Sequence, residues 1–241
     1  MDTLPKPQPD AGSRKVQSFE FDSLLWWKKS GIWIVAIFVA VAAAAFLTRP
    51  NVSRGMRKRV EITEALSNAR QIGLALTEFQ EEFGQIPDIS TIEKVRQKSG
   101  SDLKLGTNSS NDLFRQLMAS GIVKHESIFY AKISGTHKAD NVFAGARALE
   151  KGECGFTYFM GATKGCNPNR PIAVTPMIRG TDRFDPKPFQ GKAVILRADN
   201  SVNSVPIRIK DGHAMVNGQN LMDPSNPIWD GHAPVIAWPD L

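Results

Sequence analysis

The stretch ITEALSNARQIGLALTEFQEEFGQIP, residues 62–87, decides the fold of this chain. Its apolar residues recur every three or four positions, which is the period of one helix face. Charged residues such as Glu64, Arg70 and Glu81 fall between them, and Gly84 and Pro87 end the pattern. The stretch therefore predicts a long helix with one helix-packing stripe, formed by Ile62, Leu66, Ala69, Ile72, Gly73, Leu76, Phe79 and Phe83.

Two shorter helices are predicted after this one. Residues 90–97 form a candidate helix in which Ser90 is the N-cap and Glu93 its capping-box partner. Residues 98–110 are polar and rich in Gly, Ser and Asn, so they predict a loop. Residues 111–119 form the second helix, which Gly121 ends.

The chain then changes to short apolar runs typical of strands, at residues 127–133, 155–160, 172–178, 192–197, 204–209 and 213–216. Asp199-Asn200 and Asp211-Gly212 suit hairpin turns, whereas Pro176 and Pro206 restrict their strands to edges or ladder ends. The last two dozen residues are expected to wrap the sheet. Helices followed by antiparallel strands predict an α+β domain.

An uncharged apolar run precedes the helical stripe, at residues 31–47. About 20 apolar residues span a bilayer, so this run lies at the short end for a single-pass transmembrane helix. Trp26, Trp27 and Trp33 suit an interfacial anchor. A cleaved signal peptide is the alternative, since Ala42 and Ala44 give an A-x-A pattern. The predicted domains are a disordered cytoplasmic tail (1–28), a transmembrane helix (29–48), its continuation (49–86) and a globular domain (87–241).

Net charge of +6 does not indicate nucleic-acid binding, because no known nucleic-acid-binding motif accompanies it. Basic residues cluster instead on the two flanks of the apolar run, where lipid head groups account for them: Lys28, Lys29, Arg49, Arg54, Arg57, Lys58 and Arg59. Their numbers are nearly balanced, so charge alone does not orient the helix. An extracytoplasmic C-terminal domain is favoured because it carries a cysteine pair.

Cys154 and Cys166 are the two cysteines of the chain, and both lie in one Gly-rich polar stretch. An even number of cysteines in an exported domain favours a disulfide that closes a short loop. Two free thiols are the alternative. The spacing lacks a second Cys or His pair, so a metal site at these residues is not expected.

Several segments together resemble the type IV pilin and type II secretion pseudopilin superfamily. They are residues 69–76 (ARQIGLAL) with Phe79, Phe83, Gly84 and Pro87, then Pro50 after the apolar run, and residues 192–202 (KAVILRADNSV). The resemblance covers residues 31–210. It implies a pilin-like fold, in which a long N-terminal transmembrane helix packs on a C-terminal antiparallel sheet. It also implies the bacterial inner membrane, with other pilin-like subunits or secretion-system inner-membrane proteins as partners.

The family's processing site differs from this sequence. Pilins carry Gly-Phe-Thr-Leu-x-Glu at the start of the apolar helix, whereas Gly31 is followed here by Ile32, Trp33 and Ile34. No counterpart of the family glutamate is present. A pilin-like module held permanently in the membrane is therefore expected, rather than a processed filament subunit.

The sequence contains no pattern typical of catalysis. The four histidines lack metal-ligand spacing, and nucleophile and phosphate-loop motifs are absent. Some pseudopilins hold calcium in a β-region loop, so a Ca²⁺ site is conceivable at five loop aspartates, for which turn formation is the alternative: Asp182, Asp185, Asp199, Asp211 and Asp223. No other cofactor is expected. The sequence favours a structural or assembly role, and a membrane-anchored extracytoplasmic binding module is the alternative.

Overall fold

The computed structural model describes the backbone of residues 21–241, and within its first helix the side chains of Trp33, of residues 35–41 and from Met56 onward. The chain divides into two compact units, Met1–Ser53 and Arg54–Leu241. Most of the predicted tail, residues 1–28, and most side chains of the predicted transmembrane segment, residues 29–48, lie outside the described part. Ala43 and Ala44, two small residues of that segment, are among them.

Helix α1 runs from Phe21 to Phe83 and is 63 residues long. It continues through Pro50 without interruption. Its C-terminal end lies next to Gly84, whose φ of 88° suits glycine. In the part of the chain that is described, no helix combines the length and the apolar character that a membrane crossing requires.

Helix α2 (Ile92–Ser99) begins two residues later than predicted, and Thr91 rather than Ser90 is its N-cap. The carboxylate of Asp88 explains the difference, because its Oδ1 accepts hydrogen bonds from the backbone N–H groups of Ser90 and Thr91 at 2.7 and 3.2 Å. Helix α3 (Ser110–Ala119) starts one residue earlier than predicted, and Ser109 caps it by accepting a hydrogen bond from the Asp112 N–H.

Seven antiparallel strands form one sheet, which together with the helices gives the predicted α+β class. They are β1 (Thr157–Met160), β2 (Pro171–Thr175), β3 (Lys192–Arg197), β4 (Val202–Arg208), β5 (His213–Val216), β6 (Gln219–Asn220) and β7 (Val235–Ala237). Their spatial order is β6-β5-β4-β3-β2-β1-β7. Pro206 pairs with Lys192 at the end of the β3–β4 ladder, as predicted for a proline in a strand.

The predicted strand at residues 127–133 is wrong. Glu126–Phe129 forms a 3₁₀ helix instead, and an irregular segment follows it. The side chain of Asn68 on α1 donates hydrogen bonds to the carbonyls of Ser127 and Tyr130, at 3.0 and 2.8 Å. These carbonyls therefore bind the helix instead of a neighbouring strand.

Both faces of the sheet are covered. On one face, Val194 and Leu196 of β3 belong to the core that α1 and α3 complete. On the other face, Ala193 and Ile195 pack in a second cluster with Phe184 and Trp229. Alternate residues of β3 thus enter different cores, which explains why this strand is apolar throughout.

The C-terminal segment forms part of the sheet as well as covering it. β7 adds an edge strand by pairing with β1. The Trp229 ring is fully buried, packs edge-to-face on Phe159 at 5.1 Å, and donates from Nε1 to the Leu221 carbonyl. Trp238 is half-buried. Trp229 therefore packs on the sheet, as expected for a segment that wraps it.

Candidate functional site

The helix-packing stripe of α1 lies inside its own domain. Ala69, Ile72, Gly73, Leu76, Phe79 and Phe83 are buried, and Ile62 and Leu66 are half-buried against the same core. Phe79 and Phe83 stack with their ring centroids 4.5 Å apart. Because the stripe contacts α3 and the sheet side of the core, it is not available as a contact surface for another subunit.

A different part of α1 carries its exposed apolar surface. Trp33 and Phe38 are 71% and 77% exposed, and residues 35–41 are all exposed. Consecutive helical residues point in different directions, so the apolar surface surrounds this part of the helix. A helix that is apolar all round is normally buried, in a large core or in lipid. This segment is therefore the strongest candidate for contact with a hydrophobic partner.

A cavity of about 240 Å³ lies between α1 and the edge of the loops that follow β1 and β3. Leu76, Ile86 and Ile172 give it apolar walls, and the β1–β2 loop supplies Lys164 and Cys166. Oδ1 of Asn200 is buried at its rim and has no hydrogen-bond partner among the described residues. The cavity is smaller than the roughly 300–1,000 Å³ of typical small-molecule pockets.

The predicted disulfide does not form, because both cysteines are free. Cys154 precedes β1 and is fully buried, with Sγ 3.5 Å from the Ser110 hydroxyl. Cys166 follows β1 and lines the cavity. The four extended residues of β1 alone span about 13 Å, whereas a disulfide requires Cα atoms within about 7 Å. Burial raises the pKa of the Cys154 thiol to about 11.

Four of the five loop aspartates that are candidates for calcium serve local turns. Asp185, Asp199, Asp211 and Asp223 each accept a hydrogen bond from the backbone N–H two residues ahead. This is the Asx-turn geometry that favours aspartate in loops. The structure does not bring the five together, although Asp182 and Asp211 both approach the His213 ring, at 3.3 and 3.6 Å.

A separate group of carboxylates meets elsewhere in the domain. Glu126, Asp140 and Glu153 each place an oxygen within 4.8 Å of the others. Glu126 and Glu153 are buried, at 0% and 1% exposure. Sequence reasoning missed this group because its members lie far apart along the chain, in no recognisable spacing. The two intervening loop segments bring them together, and no local pattern predicts those segments.

Catalytic groups are not brought together by the described residues. His125 and His232 are exposed. The two ring nitrogens of His137 contact the carbonyls of Lys138 and Lys151, at 3.1 and 3.0 Å. His213 faces Asp182 and Asp211.

The chain matches no protein-family model, no curated protein and no solved structure. Its function therefore has to be inferred from the geometry of the exposed helix, the cavity and the carboxylate group.

Proposed function

We propose that this chain is a pilin-like structural protein, anchored in the bacterial inner membrane by α1, that serves a type II secretion or type IV pilus-type assembly. The observation that carries the proposal is that two parts of α1 differ in exposure. In the C-terminal part, the apolar stripe is packed in the core of its own domain. The apolar residues around Trp33 and Phe38 are exposed.

Energetics support a hydrophobic environment for the exposed segment. Apolar surface left in water costs about 25 cal/mol per Å². Trp33, Val35, Ile37, Phe38, Val39 and Val41 are each 60% exposed or more. Lipid or other apolar helices would remove this cost, and Ala36 and Ala40 would allow close helix approach. We place the sheet domain outside the cytoplasm and assign it no catalytic role.

The proposed assembly surface is therefore the exposed segment, residues 33–41, and not the stripe at residues 62–83. Met56 and Val60 of α1 are also exposed, at 63% and 67%. Lys58 lies between them, and its ammonium donates to the Lys187 carbonyl at 2.9 Å. A basic side chain at this place suits lipid head groups.

Photo-crosslinking in native membranes tests the proposal. A photoreactive amino acid at Phe38 should give adducts with another membrane protein, whether a second copy or a different subunit. The matched control is the same probe at Ile209, which is 82% exposed on the sheet domain. Protein adducts at both positions, or at Ile209 alone, would contradict an assembly role for the helix.

The second candidate is a membrane-anchored extracytoplasmic binding module without a filament role. The cavity between α1 and the sheet favours it, since it combines apolar walls with an Asn200 oxygen that has no hydrogen-bond partner among the described residues. In the crosslinking experiment, adducts of Phe38 with lipid alone would favour this module. A small-ligand screen should then show stabilisation that is lost when the cavity is filled by Thr163→Trp.

A further inference from the structure

Three carboxylates meet in the loops between α3 and β1 with little positive charge to balance them. Among the described residues, their one ion pair joins Asp140 Oδ2 to Arg147 at 3.0 Å. The Arg147 side chain is 61% exposed and also contacts Glu150. Among the described residues, neither Glu126 nor Glu153 forms an ion pair with a cationic side chain. Buried carboxylates without a counter-charge are costly, because the charged form loses its hydration.

Glu126 supplies a second, independent observation. Its side chain is fully buried, and Oε1 accepts a hydrogen bond from the Leu149 N–H at 2.6 Å. Its other oxygen, Oε2, is buried without a hydrogen-bond partner among the described residues. Buried polar atoms are nearly always paired in folded proteins, so this unpaired oxygen is an acceptor that a bound cation would satisfy.

Backbone hydrogen bonds fix the remaining carboxylates in place. Glu153 accepts from the N–H groups of Asp140 and Glu150, at 2.9 and 2.6 Å. Asp140 accepts from the Val142 N–H at 2.9 Å. These bonds orient the oxygens and leave lone pairs for a further partner.

Helix α3 holds the loop that carries Glu153. Arg115 donates from Nε to the Ala148 carbonyl at 2.6 Å and from Nη2 to the Leu149 carbonyl at 3.1 Å. Asn111 donates to the carbonyls of Leu149 and Glu150. Arg115 and Asn111 of the buried helix α3 thus fix the backbone next to the carboxylate group, which is the support that a binding site requires.

We propose that Glu126, Asp140 and Glu153 bind a calcium ion, with Oε2 of Glu126 as the innermost ligand. The donor set contains only oxygen, which suits a hard cation. An ion about 2.4 Å from each oxygen can bridge this group, whose oxygens lie within 4.8 Å of one another, and Ca²⁺ tolerates irregular geometry better than Mg²⁺, which demands a near-ideal octahedron. Mg²⁺ also retains waters more strongly than a buried site of protein carboxylates permits.

Glu126→Gln is the sharpest test because glutamine keeps the oxygen that accepts from Leu149 and replaces Oε2 by an amide. Calcium binding is measured by titration calorimetry on the full chain in mild detergent, with the thermal unfolding midpoint followed in Ca²⁺, in Mg²⁺ and in EDTA. The matched control is Glu78→Gln, at an exposed position of α1. Asp140→Asn, at an exposed ligand, provides a second variant that does not disturb the core.

The wild type and Glu78→Gln should bind one Ca²⁺ per chain, bind Mg²⁺ more weakly, and unfold at higher temperature as calcium increases. Glu126→Gln and Asp140→Asn should lose about tenfold or more in calcium affinity. No calcium binding by the wild type at millimolar concentration would overturn the proposal and leave Glu126 as a protonated core residue. Equal affinity in the wild type and Glu126→Gln would also overturn it and place the ion elsewhere. Neither result depends on whether the chain belongs to an assembly.

Discussion

Gly73 on α1 packs directly against the carboxamide of Asn200 in the β3–β4 turn. A Cβ atom at position 73 would overlap with Asn200 Oδ1 and would lie 2.8 Å from Leu196 Cδ1. Glycine inside a helix costs about 0.5–1 kcal/mol relative to alanine, so close approach of the turn explains its presence here. The two segments on which the pilin resemblance rests, around Gly73 and around Asn200, therefore contact each other.

Gly73→Ala should destabilise the domain by about 1–3 kcal/mol, because the added methyl group displaces Asn200 and Leu196. Asn200 has φ of 66°, a conformation that glycine adopts without strain. Adding Asn200→Gly should therefore restore most of the loss. Chemical denaturation of the four proteins measures this coupling. A gain in stability from Gly73→Ala alone would mean that the Asn200 side chain rotates away freely.

Phe79→Ala should cost about 3–5 kcal/mol of unfolding free energy, since Phe79 is fully buried and stacks on Phe83. The control on the same helix is Leu74→Ala. Leu74 is 63% exposed, so its truncation should change stability by less than about 0.5 kcal/mol. Denaturant unfolding of the purified chain distinguishes the two. Similar effects at both positions would mean that the exposed side of α1 is also packed, against another subunit.

Local patterns predicted much of this fold. The three-to-four-residue period at residues 62–83 identified the buried side of α1, and β3 and β5 have the predicted bounds. Such patterns succeed where one face of an element is buried, because burial repeats with the geometry of that element.

The sequence predictions failed where contacts between residues far apart along the chain determine the local structure. Asn68 binds carbonyls 59 and 62 residues further along and converts a predicted strand into a 3₁₀ turn. β7 was not recognised as a strand because three residues carry no period, and its pairing with β1 supplies its structure. The carboxylate group was not predicted either, because irregular loops without a sequence period bring its three members together. The two cysteines are close in sequence, but an extended strand separates them.

The two thiols should differ in reactivity. The Cys154 thiol is fully buried and its pKa is raised to about 11, whereas Cys166 is half-buried at the cavity. Because the thiolate is the reactive form, a thiol reagent at pH 8 should label Cys166 and spare Cys154 in the folded protein. Peptide mass spectrometry before and after unfolding measures this. Labelling of neither thiol until a reductant is added would mean that the disulfide forms after all.

The stability of the calcium-free protein should depend on pH through Glu126. Burial raises the pKa of this carboxyl above its usual value near 4.5, the N–H groups of Leu149 and Asn141 oppose the shift, and Glu153 and Asp140 add to the increase. A raised native pKa means that the folded state binds the proton more tightly than the unfolded chain. The contribution to stability is therefore complete below about pH 4.5 and is lost as pH rises through the native pKa.

Glu126→Gln removes this titration and keeps the hydrogen bond from Leu149. In EDTA, the unfolding midpoint of the variant should exceed that of the wild type by an amount that grows as pH rises above about 4.5, because only the wild type gains a buried charge there. Glu78→Gln should follow the wild-type curve throughout. Parallel curves for the wild type and Glu126→Gln would show that Glu126 does not titrate in this range. If the three carboxylates bind calcium, saturating Ca²⁺ should reverse the order at pH 8, since only the wild type retains the full set of ligands.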